Sequence, residues 1–175
     1  CGLDFFDVEF FLCPSKVISF IAAYSLPTRF PHWSFGKSFR KLVLQQRHGL
    51  ACIHELVYFS VPCQAFVSES NSPVENMIAA AHVVAHADFF KNNVNFWSAG
   101  RHTPLVAGTA RGFIQECISV FGPERVEKVL DAALALRNYP ELLKFIACHS
   151  PVLEDWQRQV IEYVREESCY FFPLL

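Results

Sequence analysis

Apolar positions along this chain recur mostly at helical spacing, with two short stretches that read instead as strands. Phe5–Cys13 alternates weakly and is rich in aromatic residues, which predicts a strand ending at Pro14. Residues 15–25 read as a short helix stopped by Pro27 and Pro31. Phe30-Pro-His-Trp-Ser-Phe-Gly36 is too punctuated for regular structure and predicts an ordered loop. From Ser38 to about Phe59 helical spacing returns, with Phe39, Leu42, Leu50, Ile53 and Leu56/Val57 as its apolar stripe. Pro62–Ser68 reads as a second strand.

The strongest boundary is Ser72-Pro73-Val74-Glu75. It combines an N-cap serine, a proline at the first helical position and a glutamate at the third. A helix is predicted from there to about Phe90, ended by Asn92-Asn93. Further helices follow at about 104–121, 123–137, 140–148 and 153–171, with Gly122-Pro123, Tyr139-Pro140 and Ser150-Pro151 between them. The expected fold class is α+β, predominantly α-helical with a small β-sheet. A zincin-like placing of a histidine helix on that sheet is one form it can take.

Composition narrows the function classes. The chain has 175 residues, 52% of them apolar and 18% charged, which excludes intrinsic disorder and suits a single domain over 1–175. Eighteen phenylalanines require a largely aromatic core. A net charge of −2 gives no basic excess for nucleic acid. The longest uncharged runs are too short, and too interrupted by proline, to span a bilayer. The seven cysteines have irregular spacings and no C-x-x-C, which predicts reduced thiols in a cytoplasmic protein. The chain opens on Cys1 and closes on the apolar run Cys169–Leu175, so a fragment of a longer chain is expected.

Candidate chemistry centres on His82-Val-Val-Ala-His86. Two histidines four apart share a helical face, the spacing at which both imidazoles can meet one metal ion. The zincin motif has a glutamate after its first histidine; here that place is Val83, so an ordinary zincin mechanism is not encoded in this helix alone. Asp88, Lys91, Asn92 and Asn93 gather polar groups at the helix end. The second candidate is Glu166-Glu167. Glu167 falls in the apolar stripe of Leu153, Trp156, Val160, Val164 and Phe171, where a carboxylate is either paired with an arginine such as Arg158 or pointed into a site. Glu166 lies off the stripe. His32, beside Trp33 in the predicted loop, is a further candidate, whereas His54-Glu55 reads as ordinary surface or bonded core. Gly36-Lys37-Ser38 lacks the glycine a phosphate-binding loop needs, and no serine-hydrolase elbow or dinucleotide fingerprint is present.

Several blocks together resemble the SpoVR family, the stage V sporulation protein R family. They are Ala23-Tyr24, Pro27–Gly36, Pro62-Cys63, Ala81–Asn93, Trp156-Gln-Arg and Val164-Arg-Glu-Glu167, in the family's order over nearly the whole chain. The resemblance implies a link to spore cortex formation, or in other bacteria to stress responses alongside a serine kinase and a von Willebrand-type protein. Family chains are longer and continue past the Arg-Glu-Glu helix into a segment similar to N-E-G-W-A-x-x-x-H, which suits further metal ligands or a base. Ala107 stands where the family pattern has a histidine, a departure that bears on this copy's function. Taken with the residues, the expectation is a metallohydrolase. His82, His86 and Glu167 would hold a divalent metal such as zinc, and Glu166 or a distal residue would act as base. The alternatives are a non-catalytic regulatory or scaffold protein and an inactive truncated copy.

Overall fold

The structure, a computed structural model, describes residues 2–25, 29–94, 96 and 103–171. Among these are three strands, β1 (Val8–Cys13), β2 (Glu55–Tyr58) and β3 (Cys63–Ser68). The helices are α1 (Ser15–Tyr24), α2 (Trp33–Arg47), α3 (Pro73–Asn92), α4 (Thr103–Phe121), α5 (Pro123–Ala135), α6 (Pro140–His149) and α7 (Asp155–Phe171). The fold is therefore α+β and mostly helical, as the periodicity predicts. The chain divides into two compact units, Cys1–Pro27 with His32–Arg101, and Thr28–Pro31 with His102–Leu175.

The first unit is built on a sheet of order β1-β3-β2, with β1 parallel and β2 antiparallel to β3. Side chains alternate across a strand, so Cys63, Ala65 and Val67 point to one face, where all three are buried. Helix α3 packs on β2 and β3 through Ala79, Val83, Ala87 and Phe90. Tyr58 points to the opposite face, where its hydroxyl donates to the Ile21 carbonyl of α1 at 3.4 Å. Helices α1 and α2 join through Phe20, Tyr24, Phe35 and Phe39, with ring centroids 4.4–5.8 Å apart. Phe59, Phe90 and Phe96 close a second aromatic cluster at 5.0–5.5 Å.

Two expectations for this unit change. The Phe30–Gly36 loop is shorter than predicted, because helix α2 already begins at Trp33 with His32 as its N-cap. The helix also ends at Arg47 rather than near Phe59. Gly49 adopts φ +65, and the Gly49 and Leu50 amides turn back to Gln46 and Gln45 carbonyls at 3.0 and 2.8 Å. That is a left-handed glycine ending, and Glu55–Tyr58 is left free to pair with β3. The apolar spacing of Ile53, Leu56 and Val57 fits helix and strand alike over so short a run.

In the second unit α7 packs against α4, α5 and α6. Gly122, at φ +84, takes the positive-φ conformation that glycine adopts freely between α4 and α5, and Pro123 then starts α5. Phe121 stacks on Trp156 at 4.7 Å. Arg158 donates to the carbonyls of Ala147 and Ser150, meeting acceptors left over at the end of α6.

Candidate functional site: the histidine face of helix α3

Helix α3 starts where its sequence says it should. The Ser72 hydroxyl accepts from the Glu75 amide at 3.3 Å, and the Ser72 amide donates to Glu75 Oε2 at 2.7 Å. This closed capping box starts the helix, and the four-residue spacing of His82 and His86 then brings them to one side of it. Their rings lie 4.4 Å apart, centroid to centroid. His82 Nδ1–H donates to Glu55 Oε1 of β2 at 2.6 Å. The bond places the proton on Nδ1 and leaves Nε2 to point elsewhere. His86 lies against Phe90, ring on ring at 6.0 Å. Burial and the neighbouring His82 hold its pKa below the ordinary histidine value, while Glu55 pulls the other way.

Around this pair α3 is apolar on both sides. Its inner face packs on the sheet, yet Val74, Met77, Ile78 and Phe89 are exposed, with Ala81, His82 and Ala85 between them. An amphipathic surface helix would carry polar side chains there.

The polar block at the end of α3 is engaged with the segment that precedes β1. The Asp4 amide donates to Asp88 Oδ1 at 2.8 Å, Lys91 forms an ion pair with Asp4, and Asn92 Nδ2 reaches the Asp4 carbonyl at 2.9 Å. Asn92 also meets Asp88 itself, at its carbonyl and Oδ1. Asp88, Lys91 and Asn92 thus fasten the segment before β1 to the end of α3. Asn93 terminates the helix, its amide donating to the Phe89 carbonyl at 3.0 Å.

Glu167 lies, as its spacing suggests, on the buried stripe of α7 with Trp156, Val160 and Val164; the Phe171 side chain is outside the described residues. Its carboxylate forms an ion pair with Arg29, both side chains almost wholly buried. The partner is Arg29, not Arg158, because Arg158 is committed to α6. Burial raises the Glu167 pKa, against the pull of Arg29 and Arg137. Arg165 is held on its own helix by Glu162 at 2.9 Å, and Glu166 is exposed. His32 caps α2: its Nδ1 accepts from the Ser34 amide at 3.3 Å and lies 2.7 Å from the Ser34 hydroxyl. Ala107 is buried on α4.

Among the described residues no three His, Cys, Asp or Glu side chains are grouped so as to hold a metal ion. Glu55, the residue that orients His82, reads from the sequence only as ordinary surface or bonded core beside His54. Nothing local marks it, since its relation to His82 exists only through the packing of β2 under α3. The cysteines at 13, 52, 63, 117, 148 and 169 carry no disulfide, and no described helix is long and apolar enough to cross a membrane.

Residues 1–141 and 139–175 match the family model described as SpoVR like protein. The chain is also similar to Uncharacterized protein YcgB of Escherichia coli (strain K12), at 28% identity over 216 residues. That alignment takes in 86% of this chain and 42% of the relative, so the chain spans less than half of that protein's length. No solved structure matches it.

Proposed function

This chain belongs to the SpoVR family, and from that premise we propose that His82 and His86 are half of a divalent-metal site in a metal-dependent hydrolase. The observation that carries the reading is the hydrogen bond from His82 to Glu55. A carboxylate on one ring nitrogen fixes the tautomer and orientation of an imidazole and makes the other nitrogen a better ligand. His86, one turn on, is biased toward the neutral form a ligand needs. A metal held there would supply a bound water that ionises near neutral pH. This chain's residues bind and orient; the remaining ligands and the base that Val83 cannot provide come from outside the described residues. Zinc suits two imidazoles. The proposed setting is cytoplasmic, in spore cortex formation or a bacterial stress response, alongside a serine kinase and a von Willebrand-type protein.

A second reading, a non-catalytic scaffold, draws on the apolar outer face of α3. Elemental analysis separates the two. It is made on this chain and on a longer family chain, each as purified and as His82→Ala and His86→Ala variants. Stoichiometric zinc, iron or manganese in either chain, lost in both variants, is the expected result. A longer chain that folds and holds no metal rejects the metal site and leaves the scaffold.

A further inference from the structure

Strand β1 lacks the features that usually keep a sheet edge single. It pairs with β3 along one side over six consecutive residues, Val8 with Cys63 through Cys13 with Ser68, without a bulge. Among the described residues no strand pairs with its other side. Edge strands expose a row of backbone donors and acceptors, and proteins blunt them with lysine, proline, bulges or short length. Val8-Glu-Phe-Phe-Leu-Cys13 has no lysine and no proline. Its side chains are partly exposed on both faces: Phe10 is 49%, Phe11 40% and Leu12 69% exposed.

We infer that β1 pairs antiparallel with β1 of a second copy of this chain, about a two-fold axis that passes midway between the two Phe11 residues. Strands joined edge to edge by a two-fold perpendicular to the sheet must place one residue opposite its own copy. With Phe11 at that point, Phe10 faces the partner's Leu12 and Glu9 faces the partner's Cys13. On one face Phe11 already stacks on Phe66, centroids 5.3 Å apart and planes 22° apart. The pairing extends those two rings into a row of four. On the other face Phe10 and Leu12 form two apolar cross-strand pairs, the unit from which sheets gain stability. Glu9, the only charge on the strand, never meets its own copy. Centring on Phe10 instead would set the Glu9 carboxylate against an aromatic ring and break the row. The result is a closed dimer with one continuous sheet of six strands.

Sedimentation velocity over a dilution series tests this, with the parent chain beside Phe11→Lys and Leu12→Lys. The parent is expected to dimerise reversibly, and both variants to dimerise at least tenfold more weakly with unchanged circular dichroism. The register has its own readout. Glu9→Cys should give a covalent dimer on mild oxidation, and Glu9→Cys combined with Cys13→Ser should not. A parent that stays monomeric at its highest soluble concentration overturns the pairing, as would be seen if another segment occupied the edge. A dimer untouched by both lysine variants overturns it too. If those variants fail to fold, a folded Glu9→Cys chain that gives no Cys13-dependent dimer decides against it.

Discussion

Glu55 Oε1 and His82 Nδ1, on a strand and a helix 27 residues apart in sequence, stand 2.6 Å from each other. The Glu55 side chain is mostly buried, whereas the His82 ring is more than half exposed. The fixed partner is therefore the carboxylate, and the imidazole is the group held out toward whatever the helix face meets.

If that bond tunes a ligand, Glu55→Gln should keep the fold and weaken metal binding by about 10–100-fold. Titration of zinc into the parent and the variant, followed calorimetrically, measures this. Equal affinities would mean that the carboxylate only braces the helix.

His86 predicts a pH dependence of stability. Its folded pKa lies below the ordinary value near 6.5, chiefly through burial and secondly through His82. As pH falls through the unfolded value, the unfolded chain takes up a proton that the folded chain resists. The contribution of His86 is thus complete above about pH 6.5 and lost progressively below it. Denaturant unfolding at several pH values should show a shallower loss toward acid in His86→Gln than in the parent.

The Arg29–Glu167 pair predicts a large and reversible defect. Arg29→Met leaves a carboxylate buried without its cation, at a cost of about 3–5 kcal/mol. Adding Glu167→Leu should restore much of that loss, since an apolar pair needs no compensation. With Arg29 gone, only the weaker pull of Arg137 opposes burial, so the Glu167 pKa should rise further. The single variant then gains relative stability in mild acid, where the carboxyl is protonated. Urea titrations of the four-member cycle at two pH values test both statements.

The clasp at the end of α3 has a local readout. Asn92→Ala removes the side-chain contacts to the Asp4 carbonyl and to Asp88. Amide exchange at Asp4 should accelerate, while exchange in β3 stays unchanged, because an exposed clasp opens without global unfolding. A uniform acceleration across the first unit would show instead that the clasp supports the whole sheet.

The elements were legible wherever the determinants are local. The Ser72 capping box and the Gly122-Pro123 joint each lie within a few residues and specify their boundaries without help. The end of α2 is equally local, at Gly49, but the apolar spacing runs on beyond it into Ile53, Leu56 and Val57 and masks it. Those residues belong to β2, and a four-residue strand presents too few positions for a period of two to stand out against one of 3.6.

The sequence by itself determined the helix-rich class, the His82–His86 face and the buried place of Glu167, since each follows from spacing along one element. Only the tertiary structure decided what those side chains meet. Asp4 reaches Lys91 across 87 residues, Glu55 reaches His82 from a different layer, and Arg29 reaches Glu167 from a segment far earlier in the chain. Periodicity tells which way a side chain points from its own axis. It carries no information on which distant segment packs there, because the burial of apolar surface that brings segments together is non-directional.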